Sequence, residues 1–131
     1  MRWLLGVVML VGVWSPAVMA ETKTLQGEIV DPAAYLKTGA HGPEQEEMTY
    51  EAVDGGQTLA LLEEKSGTLY LLLAEEPGED PNELAYDYVN RKVKVMGTIF
   101  ERAGLRGLVI GSTAPTEPAE PAGSPTAAAP D

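Results

Sequence analysis

The chain has 131 residues, no cysteine and a formal net charge of −11, and this length leaves room for one folded domain of ordinary size. The absence of cysteine excludes disulfides, a lipid anchor attached through a thiol, and metal or redox sites built on thiolates. The acidic balance disfavours nucleic acid as a partner, because proteins that bind single strands present a positively charged groove.

Residues 1–20 are typical of a secretory signal peptide. Arg2 precedes an apolar run at residues 3–14, Pro16 breaks that run, and the small residues Val18 and Ala20 flank a cleavage position. A membrane anchor is the alternative, but a span needs about 20 apolar residues and this run is shorter. We therefore expect cleavage after Ala20 and a mature protein that is secreted or periplasmic. Loss of Arg2 changes the charge to −11 − 1 = −12.

The first half of the mature chain predicts one strand and one helix. Residues 24–30 alternate apolar and polar side chains, which indicates a half-buried strand. Residues 33–42 are predicted to be a loop. Residues 43–54 begin with proline, carry acids at their start and end at Gly55-Gly56, which predicts a short helix.

Two more strands and a second helix follow. Residues 58–62 and 68–73 are predicted to form a hairpin, and the apolar run TLYLLL should make the later strand a central one, covered on both faces. Asp80 starts a variant of the capping box, so we expect a helix to about residue 89. Leu84 and Tyr88, four residues apart, should pack this helix onto the sheet.

Residues 91–112 predict a second hairpin, with its connection at Ala103-Gly104. Alternation along its first strand separates a buried side from an exposed side: Val93, Val95 and Ile99 against Lys92, Lys94 and Thr98. Glycines lie inside the first strand and both hairpin strands, which indicates a strongly curved sheet. Residues 113–131 are rich in Ala, Pro and Glu and are predicted to be a disordered tail.

Together these elements predict an all-β domain at residues 21–112 with short helices. Five strands with a helix between strands 3 and 4 match a five-stranded OB-fold-like barrel, and the helix at 43–54 would be inserted between strands 1 and 2. Such barrels commonly bind ligands on the face of strands 2 and 3 and on adjoining loops.

The runs GEIVDPAAYLKTGAHGPEQEEM, LALLEEKSGTLYLLL and KVKVMGTIFERAGLRGLVI resemble a family of small exported bacterial OB-fold proteins of uncharacterised function. The resemblance covers nearly all of the mature domain. Many members carry a cysteine before the Tyr-Leu pair and a His, Cys and Cys in the next helix. Those positions are occupied here by Ala34, Gln45, Met48 and Ala52. The resemblance thus implies the fold and the export, but it implies no zinc, copper or redox site.

The residues predict neither an enzyme nor a cofactor. A nucleophile needs an oriented base beside it, and His41, the single histidine, lies between Ala40 and Gly42 in the predicted loop. We interpret it as a solvated loop histidine without a catalytic or metal-binding role. No glycine loop that could cradle phosphate precedes a helix.

Charge is distributed unevenly along the chain. Residues 43–90 contain 13 acids and one base, whereas residues 91–110 contain five bases and one acid. The second hairpin could therefore bind an unknown protein or an anionic envelope component. The candidate residues for such partner binding are Lys92, Lys94, Arg102 and Arg106.

Three alternatives remain open. The same cations could simply pair with the protein's own acids, in surface contacts worth only about 0–1 kcal/mol each. The protein could also be a degenerate relative of a metal- or redox-site-bearing domain that is now purely structural. A nucleic-acid-binding OB-fold is the third alternative, and the acidic charge disfavours it.

Overall fold

The computed structural model describes Gly12 and residues 19–116, which form a closed, mixed five-stranded β-barrel with two short helices. No helix among these residues is long and apolar enough to cross a membrane. Most of the predicted signal peptide, and the predicted tail from residue 117 onward, lie outside the described residues. The elements in chain order are β1 (Met19–Val30), α1 (Pro32–Thr38), α2 (Glu46–Asp54), β2 (Ala60–Glu63), β3 (Leu69–Leu72), β4 (Lys92–Arg102) and β5 (Leu105–Pro115).

The strands follow the order β1-β2-β3-β5-β4 around the barrel, and β4 pairs with β1 to close it. Only β3 and β5 run parallel; the other neighbours are antiparallel. Neighbouring backbones approach closely at Gly27, between β1 and β2, and at Gly97, between β4 and β5. A Cβ on Gly27 would collide with the carbonyl of Leu62, and one on Gly97 with that of Val109. The prediction of a strongly curved sheet is confirmed at these positions.

β1 is longer than predicted, because it starts at Met19 rather than at residue 24. It pairs with β4 from Met19 to Glu28, but with β2 only from Gly27 to Val30. The first half of β1 and the adjoining end of β4 therefore extend beyond the hairpin of β2 and β3.

The hairpin of β4 and β5 is confirmed, with its turn at the predicted place. Ala103 and Gly104 have φ angles of 53° and 81°, the two positive values that a two-residue type I′ turn requires. β5 then continues through Thr113 to Pro115, which pair with Val95 to Val93 of β4. The prediction of a disordered tail from residue 113 is wrong for these three residues, because β4 offers them a paired edge.

The core lies inside the barrel and receives one face of every strand. Its fully buried large side chains are Ile29, Val30, Leu59, Leu61, Leu72, Val89, Val93, Val95 and Leu108. In β3, Tyr70 and Leu72 are buried, whereas Leu71 is 43% exposed. The prediction that this strand is covered on both faces is therefore wrong, since a barrel strand buries only its inner face.

The segment between β1 and β2 contains one helix that was predicted and one that was not. The helix at 43–54 is confirmed as a 3₁₀ turn, Pro43–Gln45, that continues into α2. The predicted loop at 33–42 is wrong, because α1 occupies most of it. Asp31 caps α1 by accepting a hydrogen bond from Ala33 N at 2.9 Å, and Gly39 ends it with φ of 77°.

The predicted helix at 80–89 is present only as turns and a 3₁₀ segment, Tyr86–Tyr88. The buried Asn82 explains the difference: its side chain accepts from Leu59 N at 2.8 Å and donates to Gln57 O at 3.1 Å. These hydrogen bonds connect residues 80–89 to the chain before β2. They form with an irregular backbone in place of the predicted helix. Ala85 and Val89 are buried, while Leu84 is exposed.

Candidate functional site

The four candidate cations lie in two groups at opposite ends of the hairpin. Lys92 and Lys94 are at the start of β4, whereas Arg102 ends it and Arg106 is the second residue of β5, beyond the turn. Ten residue steps separate Lys92 from Arg102, roughly 33 Å along an extended strand. The structure therefore does not bring all four residues into one patch.

Two of these cations pair with the protein's own acids, as the first alternative expected. Lys92 Nζ lies 3.4 Å from Glu64 Oε1, and Arg106 Nε lies 3.1 Å from Glu101 Oε2. All four of these side chains are exposed by 40% or more, so the pairs contribute little stability. Lys94 and Arg102 form no ion pair with any residue between 19 and 116.

A groove of 420 Å³ lies beside the turn between β4 and β5, and we call it the hairpin groove. Its apolar lining comes from β3, the residue after it, and both strands of the hairpin. The rim is charged. The lining residues are Leu71, Leu73, Phe100, Ala103, Leu105 and Gly107, and the rim residues are Glu101, Arg102 and Arg106.

The strand register explains why these side chains meet. Leu71 lies opposite Gly107, and Gly107 lies opposite Phe100, so all three belong to the same outer face. Gly107 adds no side chain to that face, and a Cβ there would collide with Leu73. The Leu73 side chain therefore packs directly over Gly107 and forms part of the apolar lining of the groove.

Two leucines of the groove face solvent. Leu105 is 77% exposed at the end of the turn, and Leu71 is 43% exposed on β3. Removing an apolar surface of this kind from water is favourable, so its burial by a partner would stabilise the complex. The guanidinium of Arg102 at the rim offers several hydrogen-bond donors to an anion. The arrangement suits a partner that combines an apolar part with a negative charge.

A second arrangement surrounds His41, whose side chain is 49% exposed in the loop after α1, so the prediction of a solvent-exposed loop histidine is confirmed. The sequence did not predict that the imidazole has a carboxylate partner. His41 Nδ1 lies 2.9 Å from Glu28 Oε1, and the backbone N of Gly42 donates to Glu28 Oε2 at 2.6 Å. The ring of Tyr35 stands edge-on to the imidazole, with centroids 5.9 Å apart. Glu28 was expected on the exposed side of its strand, but only 9% of it is exposed.

The Glu28 carboxylate continues into a buried polar chain. Asn90 Nδ2 donates to Glu28 Oε2 at 3.2 Å, and Thr49 Oγ1 donates to Asn90 Oδ1. Asn90 adopts a φ of 56°, which asparagine tolerates better than most residues. This chain ties β1 to α2 and to the start of β4. We interpret it as structural.

The cavity next to His41 offers no complete catalytic or metal-binding set. It has a volume of 220 Å³ and is also lined by Tyr35, Lys92 and Glu63. Within residues 19–116, no serine or threonine hydroxyl hydrogen-bonds to the imidazole. No group of three His, Cys, Asp or Glu side chains in the described chain could hold a metal ion.

Burial shifts the ionisation of two tyrosines. Burial raises the pKa of Tyr70, and the nearby Glu63 carboxylate adds to the rise. The pKa of Tyr50 is raised first by burial and then by the charge of Glu46. The Tyr50 hydroxyl donates to Tyr86 O at 2.9 Å, which fixes α2 against the 3₁₀ segment before β4.

No family model, curated protein or solved structure matches this chain.

Proposed function

We propose that the protein is an exported, non-enzymatic OB-fold module of the bacterial cell envelope that binds an anionic, partly apolar partner in the hairpin groove. The observation that carries the proposal is the groove itself: exposed leucines stand beside Arg102, whose charge no described acid compensates. Arg102 and Arg106 are thus the candidate partner-binding residues that we retain. Lys92 and Lys94 lie at the other end of the hairpin.

The OB-fold assignment is supported by the strand order. An OB-fold is a five-stranded, partly open Greek-key barrel, and the parallel contact of β3 with β5 is compatible with this topology. OB barrels commonly bind ligands with the loops after strands 1 and 4. The hairpin groove adjoins the turn after β4, so it occupies one of these two positions. The resemblance to exported OB-fold proteins points in the same direction.

Nucleic acid fits this groove less well. Binding of single strands relies on a continuous cationic track and several stacking aromatics. The groove contains one aromatic residue, Phe100, and Glu101 neutralises part of its positive charge. Leu71 and Leu105 are exposed within one groove rather than singly, which a binding surface explains better than a purely structural domain does. We therefore favour an amphipathic anion as the ligand class.

Titration with dodecyl phosphate below its micellar concentration tests the proposal. The protein is isolated from the exported fraction of cells that produce the full chain, and backbone amide shifts are followed by NMR. We expect the largest shifts at Leu71, Phe100 and Gly107. Dodecyl maltoside, which has the same apolar chain and no charge, should bind more weakly.

Two matched substitutions sharpen this test. Arg102→Gln removes the uncompensated charge and should weaken binding roughly two- to fivefold, since an exposed charge contact contributes up to about 1 kcal/mol. Lys94→Gln removes another exposed charge, from the other end of the same strand, and should leave the affinity unchanged. Equal losses in both variants, or shifts located away from the groove, would contradict the proposal.

A further inference from the structure

The β4–β5 turn presents an exposed leucine between two arginines. Ala103-Gly104 form the turn, and Leu105 projects from it with 77% of its surface exposed. Arg102 and Arg106 flank this leucine. An apolar side chain with guanidinium groups beside it matches the interface of a membrane, where acyl chains lie beneath negatively charged headgroups.

β1 begins at the same end of the barrel as the β4–β5 turn. Met19 pairs with Glu101, and Ala20 pairs with Phe100, so the chain before Met19 joins the barrel beside the turn. That preceding sequence contains the apolar run at residues 3–14. Where this run is retained as an anchor, it is joined to the barrel beside the β4–β5 turn.

Charge separation along the barrel agrees with this orientation. The end formed by residues 19–23 and 98–106 contains three bases and two acids, 3 − 2 = +1. The other described residues, 24–97 and 107–116, contain five bases and 15 acids, 5 − 15 = −10. An anionic surface repels the acidic body and attracts the opposite end, so the molecule would approach with the β4–β5 turn first.

We infer that the partner of the hairpin groove is the anionic lipid surface of a membrane, against which the β4–β5 turn docks with Leu105 inserted and Arg102 at the headgroups. This inference rests on the proposed function and specifies its partner. No bond is made or broken in this contact. It is reversible and weakens with salt, because the charges involved are screened over about 8–10 Å at physiological ionic strength.

Flotation with vesicles tests the inference on the exported protein. Vesicles of equal parts phosphatidylglycerol and phosphatidylcholine are compared with vesicles of phosphatidylcholine alone, at 0.05 and 0.5 M salt. We expect binding to the anionic vesicles at low salt and at least a fivefold smaller bound fraction in the other conditions. Equal binding to both vesicle types would overturn the inference.

Four variants locate the contact. Leu105→Ser and Arg102→Gln should each reduce the bound fraction at least threefold. Leu36→Ser and Lys94→Gln are the matched controls, because Leu36 is 74% exposed in α1 at the opposite end of β1 and Lys94 is also exposed. Both should bind as the unsubstituted protein does. A loss in the controls as large as in the test variants would overturn the inference.

Dodecyl phosphate separates this inference from the proposed function. Binding of the monomeric amphiphile in the groove without binding to vesicles would show that the proposed function holds and that the partner is not a membrane surface. Failure of both would reject the groove as a binding site. Each variant is first checked for an unchanged thermal midpoint, and the substituted side chains are all exposed.

Discussion

Tyr70 and Tyr50 are the residues through which high pH should destabilise the fold. Their pKa values are raised above the ordinary value of 10.0, mainly by burial. The folded protein therefore retains these protons at a pH where the unfolded chain has lost them. The stabilisation is complete below about pH 10 and disappears as the pH rises through the folded-state pKa values.

We expect the free energy of unfolding, measured with urea, to decline from about pH 10 upward. Absorbance at 295 nm in the folded protein should show tyrosines that ionise later than in the urea-unfolded chain. Tyr70→Phe should make the decline with pH less steep. An unchanged slope in this variant would show that Tyr70 does not contribute.

The burial of Glu28 could not be predicted from the sequence. Glu28 alternates with Leu25 and Ile29 in a way that places it on the exposed side of a strand. Its burial comes from chain segments far away in sequence, since His41 and Asn90 both contact its carboxylate. No local pattern encodes such a contact, so the His41 arrangement could not be predicted.

The β4–β5 turn carries a strained residue whose replacement should stabilise the hairpin. Ala103 has φ of 53°, in a region that costs an L-residue with a Cβ about 1–2 kcal/mol. Asparagine tolerates this conformation, and Asn-Gly is the preferred pair for a type I′ turn. We expect Ala103→Asn to raise the free energy of unfolding by about 0.5–1 kcal/mol, measured by urea denaturation.

The matched control for this prediction is Ala114→Asn. Ala114 is exposed in the regular part of β5, where asparagine is disfavoured, so the same substitution there should lower stability slightly. A gain of equal size at both positions would show that the effect does not come from the turn.

The elements that sequence patterns predicted are those with local signals. The β4–β5 hairpin has clear alternation and an Ala-Gly turn, and α2 has a proline start and a glycine end. α1 also carries such signals, Asp31-Pro32 and Gly39, and they could have been recognised in the sequence. The 80–89 segment differs, because the buried hydrogen bonds of Asn82 to Gln57 and Leu59 determine its backbone.

The sequence indicated closure of the barrel, but it did not indicate the location of the groove. Glycines inside strands predicted curvature, and Gly27 and Gly97 lie where neighbouring backbones approach closely. The hairpin groove depends on the parallel register of β3 with β5, which places Leu71 opposite Gly107. That register joins residues 36 positions apart, and the sequence alone could not specify it.

The exported protein should begin at Glu21, directly after the predicted cleavage position. Cleavage after Ala20 would remove Met19 and Ala20 from β1, and with them only the pairs to Glu101 and Phe100. The strand would still begin at Glu21, opposite Ile99, and the core positions of β1 start only at Leu25. Cleavage after Ala20 should therefore leave the barrel folded. We expect the intact mass of the exported protein to correspond to a chain that begins at Glu21.

A charged side chain at the cleavage position tests this expectation. Signal peptides are cut after small residues, so Ala20→Arg should yield a longer product that keeps residues 1–20 and stays with the membrane fraction. Ala114→Arg places the same side chain on exposed β5, far from the cut, and should leave the mass at the Glu21 start. If the unsubstituted protein retains residues 1–20 in the exported fraction, the apolar run is an anchor. The β4–β5 turn would then remain beside the membrane permanently, because Met19 pairs with Glu101.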